Sequence, residues 1–414
     1  MRIVQLANFI SPTSGGLRRA VDQLGRGYVA AGHQRLLVVP GVADAVFEDD
    51  AGWTVAIRSP QVAGGYRLAL NWGKLVDLLR RFAPTSVEVS DKWTMTAAAG
   101  WARRCGVGAV LLSHERLDHM ASLFLRHDVS SAVHRLNAAL AKRYDKVVVT
   151  TRYSAQEWAG TGVTGLDQDD DQPFVPRRGG DDQPPSLSPT GGGDDQPSVP
   201  RPTRHGDGAR AELVVVPLGV DLTTFQPGDR PSDPAGDEPL RLVHVGRLSR
   251  EKSPGLAVAT ALELSRRGRA VRLDVHGVGP QLAQLRELAQ GWPVYFHGHS
   301  NDRCAIADAY RQAHLALSVC PGETFGLAVL EALACGAVVV TADRGGAREL
   351  VDASCAEWGA PDPVQLADAV ERLADRRRQN AAGLQAAARA RAERYPWSQT
   401  VARMLELHAG VAAG

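Results

Sequence analysis

The sequence predicts an α/β protein made of two doubly wound domains that face each other across a cleft. Three observations carry this prediction. The chain has 414 residues, more than one ordinary hydrophobic core accommodates. Apolar strands alternate with helical stretches in both halves of the chain. A segment with almost no large apolar residue, 161–211, interrupts that alternation near the middle.

The first domain opens with the apolar strand "RIVQLANF", a glycine-containing loop and the helical stretch "LRRAVDQLGRGYVAAGH", which ends at Gly32. Further strands are predicted in "QRLLVVP", "TSVEVS", "GAVLLSH" and "KVVVTT", with helical stretches such as "KLVDLLRRFA" between them. Continuous apolar strands that alternate with helices indicate a parallel sheet covered on both faces. Ligands bind such sheets at the carboxyl ends of the strands.

The segment from Thr161 to Ala211 is predicted to be a disordered insertion. The tetrapeptide DDQP occurs in it three times, beginning at Asp170, Asp181 and Asp194. Such a composition cannot bury enough apolar surface to offset its ordering entropy. A tolerated expansion of a surface loop is the simpler interpretation, and a partner-binding arm is the alternative.

Order returns at "AELVVVPLGVDLTTFQP", and a second alternating series begins at "LRLVHVGRL". We therefore predict a first domain over 1–228, a linker over 229–238, a second domain over 239–394 and a terminal segment over 395–414. Both domains are long enough for a doubly wound sheet once the insertion is left out.

Charge and cysteine content exclude several classes of protein. Lys and Arg number 47 against 46 Asp and Glu, and the net charge of +1 gives no reason to expect nucleic acid as a partner. The five cysteines are odd in number and form no CxxC pair, which disfavours a disulfide framework or a zinc site. The sequence predicts reduced thiols in a cytoplasmic protein.

Nothing in the sequence predicts a membrane-spanning segment or a signal peptide. Peripheral contact with the inner face of a membrane stays open, with a solvated surface as the alternative. The candidates for such contact are the basic residues Arg18, Arg19, Arg26, Lys74, Arg80 and Arg81, together with Trp72. The oligomeric state is not predicted.

Two loops carry the features of a phosphate site. "GRLSREK" follows a strand and places Arg247 and Lys252 near a helix N-terminus, where cations and backbone N–H groups act together on an anion. In "TSGGLRR" the Gly15-Gly16 pair allows the backbone to approach a ligand closely. The absence of GxGxxG, and of an acidic residue after the second strand, argues against a dehydrogenase.

The stretch "CPGETFGLAVLEALACG" carries two carboxylates among apolar and small residues. Glu323 is expected in the loop at the mouth of a helix, and Glu331 two turns inside it. Eight residues at about 100° each leave the two roughly 80° apart, so both can border the cleft. Ligand hydroxyls would satisfy them, and a helix-cap contact for Glu323 with a buried ion pair for Glu331 is the alternative.

Five ordered motifs together carry a family resemblance. E-x7-E followed by "GGARELV", with "SGG", "PLGVDLTTFQP", "VGRLSREK" and "LDVHGVGP", resembles the nucleotide-sugar site of the retaining family 4 glycosyltransferases of the GT-B fold. The amino-acid sequence of these motifs is similar to that of actinobacterial enzymes that use GDP-mannose. The resemblance covers nearly the whole chain apart from 161–211. It implies two Rossmann-like domains and a terminal helix, 395–414, that crosses back onto the first domain.

The resemblance also implies roles for residues of the cleft. Arg247 and Lys252 would bind the donor diphosphate, Glu331 the ribose diol and Glu323 the hydroxyls of the donor sugar. His114, in "LLSHERL", would border the transferred sugar. The anion site would be completed by Gly16 and by the backbone N–H groups of Phe325, Gly326 and Leu327.

The implied reaction moves a hexosyl group from a nucleoside diphosphate to an acceptor hydroxyl with retention. GDP-mannose is favoured as donor over UDP-hexoses, and the acceptor would be a lipid or a glycoconjugate precursor. No metal is expected, since Arg247 and Lys252 would stabilise the leaving diphosphate. Two alternatives are a nucleotide-sugar 2-epimerase of the same architecture and a non-catalytic nucleotide-sugar sensor.

Overall fold

The computed structural model describes residues 1–8, 10, 15–62, 67–119, 129–165, 210–229 and 238–413. The first sheet has eight strands in the order β3-β4-β2-β1-β5-β6-β7-β8, and only β3 runs antiparallel to its neighbour. The strands of this sheet are β1 (Arg2–Leu6), β2 (Gln34–Gly41), β3 (Ala45–Asp49), β4 (Gly52–Arg58), β5 (Ser86–Val89), β6 (Gly108–Ser113), β7 (Lys146–Val149) and β8 (Glu212–Val215).

The second sheet has six parallel strands in the order β11-β10-β9-β12-β13-β14. Its strands are β9 (Leu240–Val245), β10 (Val271–His276), β11 (Val294–Gly298), β12 (Leu315–Ser318), β13 (Val338–Ala342) and β14 (Ala356–Gly359). In both sheets the strand order reverses beside the first strand, and this reversal opens a crevice at the carboxyl ends.

Helices cover both faces of the two sheets. In the first domain they are α1 (Gly16–Ala30), α2 (Trp72–Phe82), α3 (Ala97–Cys105), α4 (Ser130–Ala141) and α5 (Arg152–Ala155). The others are α6 (Pro254–Arg266), α7 (Leu282–Leu288), α8 (Arg303–Gln312), α9 (Leu327–Ala334), α10 (Gly346–Glu349), α11 (Pro363–Ala392) and α12 (Trp397–Ala412). In the part of the chain that is described, no helix combines the length and apolarity that crossing a bilayer requires.

The predicted fold class is confirmed, with one hairpin that the sequence did not reveal. The central strands of the first sheet are buried, as their apolar runs indicated. Strands β3 and β4 were not predicted. All five residues of β3 are exposed at the sheet edge, so burial imposes no alternation of apolar and polar residues on it.

The structured chain extends into both ends of the predicted insertion. The Thr164 N–H donates to the Ala211 carbonyl over 3.1 Å, and the Leu213 N–H donates to the Thr164 carbonyl over 2.7 Å. Thr161 is buried. The boundaries 161 and 211 were therefore too wide, and the remaining part, 166–209, lies outside the described residues. So do residues 230–237 of the predicted linker.

The last helix crosses from the second domain back to the first, as the resemblance implied. Met404 and Leu407 of α12 join the core formed by Ile3 and Val110 of the first sheet. His408 is fully buried beneath that sheet, where Nδ1 lies 2.8 Å from Ser86 Oγ and Nε2 lies 3.1 Å from Glu88 Oε2. The first domain is thus completed by the final residues of the chain.

Candidate active site

A cavity of about 340 Å³ lies between the two domains, at the carboxyl ends of their strands. This volume falls within the range of small-molecule sites. All nine predicted site residues line it: Gly16, His114, Arg247, Lys252, Glu323, Phe325, Gly326, Leu327 and Glu331. The residues predicted from the sequence therefore line one cavity, although the contacts among them differ from those expected.

Two helix N-termini converge on the cavity. Helix α1 begins at Gly16 and α9 begins at Leu327, and a Cβ atom placed on Gly16 would lie 3.5 Å from Leu327 Cδ1. Gly326 has a φ of 106°, which favours glycine and allows the chain to turn into α9. The first N–H groups of a helix have no partner within it, so both termini attract an anion.

Glu331 lies nearer to this N-terminus than predicted. Helix α9 begins at Leu327, which places Glu331 about one turn inside it rather than two. Glu323 lies in the preceding loop, so the angle of 80° that assumes a common helix does not apply. Both carboxylates nevertheless reach the cavity, because the loop turns back towards the first domain.

Lys252 and Glu323 form an ion pair with each other. The Lys252 Nζ atom lies 2.9 Å from Oε1 and 2.8 Å from Oε2 of Glu323. Burial would raise the pKa of Glu323, but Lys252 and the N–H groups of Phe325 and Thr324 lower it below its usual value. Burial would lower the pKa of Lys252, and Glu323 outweighs it and raises that pKa. Both groups are charged near neutral pH.

Glu331 is paired with an arginine of the other domain. Its Oε1 atom accepts a hydrogen bond from Nη1 of Arg19 over 2.7 Å, and Nη2 of Arg303 lies 4.0 Å away. The Glu331 side chain is only 4% exposed. Burial raises its pKa above the usual value even though Arg19 and Arg303 act in the opposite direction.

This contact corrects the interpretation of the basic face of α1. Arg19 lies in the cleft rather than on an outward surface, and Arg26 is paired with Asp50 and with Asp22. Arg247 is more open, since its side chain is 40% exposed and Nη1 lies 3.6 Å from Glu251 Oε1.

His114 and Glu115 form the wall of the cavity on the side of the first domain. Burial lowers the pKa of His114 to about 4, so its ring is neutral at physiological pH. Its Nε2 atom is buried and meets no hydrogen-bond partner among the described residues. A neutral imidazole without a partner is available to a ligand hydroxyl.

The segment 151–154 joins the first domain to the loop that carries Glu323. The hydroxyls of Thr151 and Ser154 donate to the Thr324 carbonyl over 2.7 and 3.1 Å. The Glu349 carboxylate accepts hydrogen bonds from the backbone N–H groups of Arg152 and Tyr153 over 2.9 and 2.7 Å. Direct hydrogen bonds between the two domains therefore fix the positions of the two cavity walls relative to each other.

Sequence reasoning missed Arg19, Arg303 and Glu115 as residues of this site. Arg19 stands in the quoted motif "TSGGLRR", one turn after the glycine pair, and helical spacing could have placed it beside the cleft. Glu115 follows His114 directly at the end of β6. Arg303 had no sequence signal, because its partner Asp221 lies 82 positions earlier, at 3.2 Å in space.

Comparison with known proteins agrees with this geometry. A model described as "Glycosyltransferase Family 4" matches residues 14–165, and one described as "Glycosyl transferases group 1" matches residues 239–376. The GDP-mannose-dependent alpha-(1-6)-phosphatidylinositol dimannoside mannosyltransferase of Mycobacterium tuberculosis is 34% identical to this chain. That match covers 98% of this chain and 95% of the relative.

Other relatives and solved structures match in part or in fold. The D-inositol 3-phosphate glycosyltransferase of Nocardia farcinica is 34% identical over 48% of this chain and 47% of its own length. The sucrose-phosphate synthase of Thermosynechococcus elongatus superimposes with a TM-score of 0.70 at 18% identity, covering 99% of each chain. The glycosyltransferase WaaG, involved in lipopolysaccharide biosynthesis, gives a TM-score of 0.65 at 15% identity, covering 98% of this chain and all of the other.

The structural matches establish the GT-B architecture, and the match along nearly the whole sequence establishes the family. The chain belongs to the family 4 glycosyltransferases and is an enzyme that transfers a hexosyl group from a nucleotide sugar.

Proposed function

We propose that this enzyme transfers a mannosyl group from GDP-mannose to a hydroxyl of a mannosylated phosphatidylinositol, with retention at the anomeric carbon. The observation that carries the donor and the acceptor is the full-length similarity to the mycobacterial mannosyltransferase. The cavity supports it, because it combines cations and helix N-termini with carboxylates that accept hydrogen bonds from hydroxyls.

In this proposal the donor lies across the N-termini of α1 and α9. Arg247 and Lys252 meet the diphosphate, together with Gly16 and the N–H groups of Gly326 and Leu327. The N–H of Phe325 is directed at the Glu323 carboxylate in the structure described here, so its contribution to the anion site would require that hydrogen bond to change.

Glu331 would bind the ribose diol through the carboxylate oxygen that faces away from Arg19. Glu323 would hold donor-sugar hydroxyls while Lys252 stays beside it, since a carboxylate accepts several hydrogen bonds at once. His114 is neutral and would accept or donate a hydrogen bond at the transferred sugar.

The chemistry follows from these charges. The bond between the anomeric carbon and the diphosphate oxygen breaks, the leaving diphosphate takes the electron pair, and Arg247 and Lys252 stabilise the negative charge that develops. The acceptor oxygen attacks the same face, and its proton passes to the leaving phosphate oxygen. We expect no requirement for a divalent ion, and unchanged turnover in excess EDTA is the measurement that checks it.

A donor panel tests the proposal. GDP-mannose, UDP-glucose and UDP-N-acetylglucosamine are incubated with phosphatidylinositol dimannoside or native lipid extract, and the products are analysed by mass spectrometry. A mass gain of one hexose from GDP-mannose, with an α-linkage by NMR, is the expected outcome. Inversion at C2 of the donor would indicate an epimerase, and binding without turnover would indicate a sensor; either would contradict the proposal.

We further propose that the exposed edge formed by Val42, Val46 and Phe47, beside Lys74, contacts the membrane that carries such an acceptor. The three apolar residues are 74%, 64% and 51% exposed, and the Lys74 side chain, which pairs with Asp44, is 36% exposed. Exposed apolar residues beside a long cationic side chain suit a membrane interface. Val46→Asp/Phe47→Asp should abolish sedimentation with phosphatidylinositol vesicles and spare GDP binding. Sedimentation equal to that of the wild type would contradict it.

A further inference from the structure

Glu115 is a carboxylate in the cavity wall that the roles above leave unused. It follows His114 directly, beyond the end of β6, and lines the same cavity as Lys252 and Glu323. Within the described ranges, no other residue forms a hydrogen bond or an ion pair with its side chain. Glu115 is partly buried in the cavity wall, and a carboxylate there that has no partner can accept hydrogen bonds from a group bound in the cavity.

The backbone that follows Glu115 is held in place by hydrogen bonds. The Glu157 carboxylate accepts the N–H groups of Leu117 and Asp118 over 2.6 and 3.2 Å. Glu157 is itself buried against Lys92, with which it forms an ion pair. The unpaired Glu115 side chain is thus presented from a fixed loop, which is the arrangement expected of a binding residue.

Arg116 adds a second anchor to the same loop. Its guanidinium donates to the Tyr153 carbonyl and to Gln156 Oε1, each over 3.2 Å. It also lies over the Tyr153 ring, 4.4 Å from the ring centroid. Tyr153 belongs to α5, whose first N–H groups donate to Glu349 of the second domain. The loop is therefore positioned relative to the donor side of the cleft.

Charges around Glu115 restrict what it can bind. Burial and Asp91 raise its pKa, whereas Lys92, Lys252 and Arg247 lower it, and the pKa lies above the usual value on balance. Lys252 and Arg247 line the same cavity from the opposite domain. A second anion beside it would be repelled, whereas a neutral hydroxyl would donate a hydrogen bond to it.

We propose that Glu115 binds the acceptor, by accepting a hydrogen bond from a hydroxyl adjacent to the one that reacts. The inference rests on the proposed function and adds the residue that recognises the acceptor, a sugar or cyclitol with neighbouring hydroxyls. No bond breaks in this contact, and the proton of the reacting hydroxyl still passes to the leaving phosphate. Glu115 therefore selects polyhydroxylated acceptors over simple alcohols.

The test pairs enzyme variants with acceptor analogues. Wild type, Glu115→Ala and Glu115→Gln are assayed with GDP-mannose and octyl α-mannoside or its monodeoxy analogues, and with phosphatidylinositol dimannoside. For the wild type, removing one particular hydroxyl should lower kcat/KM about 10- to 100-fold, the scale of a hydrogen bond to a charged group. Glu115→Ala should show the same loss with the parent acceptor and no additional loss with that analogue.

Two donor measurements separate acceptor binding from a general defect. The GDP dissociation constant and the rate of GDP-mannose hydrolysis without acceptor should both stay within about twofold of wild type in the Glu115 variants. Glu212→Gln, which removes a carboxylate of the same domain outside the cavity, should behave as wild type in every assay.

The outcomes distinguish a failure of the role of Glu115 from a failure of the proposed function. Loss of GDP affinity or of hydrolysis in Glu115→Gln, or equal penalties for every analogue in Glu115→Ala, would overturn the role of Glu115 alone. No transfer by the wild type to any of the acceptors would overturn the proposed function and this inference with it.

Discussion

Replacing Arg19 by Met tests whether the second domain depends on the first for donor binding. Arg19 donates to Glu331 over 2.7 Å, and its side chain is 36% exposed while that of Glu331 is 4% exposed. Leaving a fully buried charge unpaired costs about 3–5 kcal/mol, and an exposed pair contributes about 0–1 kcal/mol. Because Arg303 stays within 4.0 Å of Glu331 as a second cation, we expect a loss between these two ranges.

The expected loss is about 1.5 kcal/mol of donor binding free energy, or about tenfold in the Kd of GDP at pH 7. Its pH dependence identifies the cause. Arg19 lowers the pKa of Glu331, so that pKa is higher in Arg19→Met. Since Glu331 accepts hydrogen bonds best when ionised, GDP affinity should start to fall at a higher pH than in the wild type as the solution is acidified.

Both effects are measured by isothermal titration calorimetry of GDP binding from about pH 4.5 to about pH 8. This range includes the pH values at which a carboxyl group with a raised pKa titrates. Arg19→Lys should retain most of the affinity because it keeps the charge. Arg26→Met, on the same helix but paired outside the cavity, is the matched control. Tighter GDP binding by Arg19→Met would refute the reasoning, because it would show that Arg19 competes with the ribose for Glu331.

Three further predictions follow from described contacts. Lys252→Met and Glu331→Gln should each weaken GDP binding by about 1.5–3 kcal/mol, measured by calorimetry, and unchanged affinity in both would contradict the donor site. Glu157→Gln should lower the free energy of unfolding by about 3 kcal/mol in urea titration, because buried Lys92 loses its partner; a stability equal to wild type would show that this pair is dispensable. Joining Gly165 to Arg210 through a short Gly-Ser linker should preserve kcat/KM, because the adjacent backbones of Thr164 and Ala211 are already hydrogen-bonded, and loss of folding would give the removed segment a structural role.

The sequence was sufficient for the central strands of both sheets and for the residues that line the cavity, for a physical reason. Strands such as β6 are buried on both faces, and a continuous apolar run is what such a position requires. The residues at the ends of these strands meet at one edge in any doubly wound sheet. Arg247 could therefore be placed in the cleft without knowledge of a single contact, whereas His114 was assigned to it by the family resemblance.

The pairing of charges could not be predicted in the same way. Arg19 and Glu331 are 312 positions apart, and Lys252 and Glu323 are 71 apart. Which cation meets which carboxylate depends on how the two domains are placed, and local periodicity carries no information about that. Strand β3 was missed because it is exposed at the sheet edge, where solvent places no constraint on the pattern of apolar and polar residues.

The return of α12 to the first domain also affects the order in which the molecule is built. The ribosome releases the first domain early, yet Met404, Leu407 and His408 reach its core only after the second domain has been synthesised. Most of the core of the second domain consists of residues up to the end of α11. In a newly made chain the domain that comes second in sequence can therefore complete most of its core first.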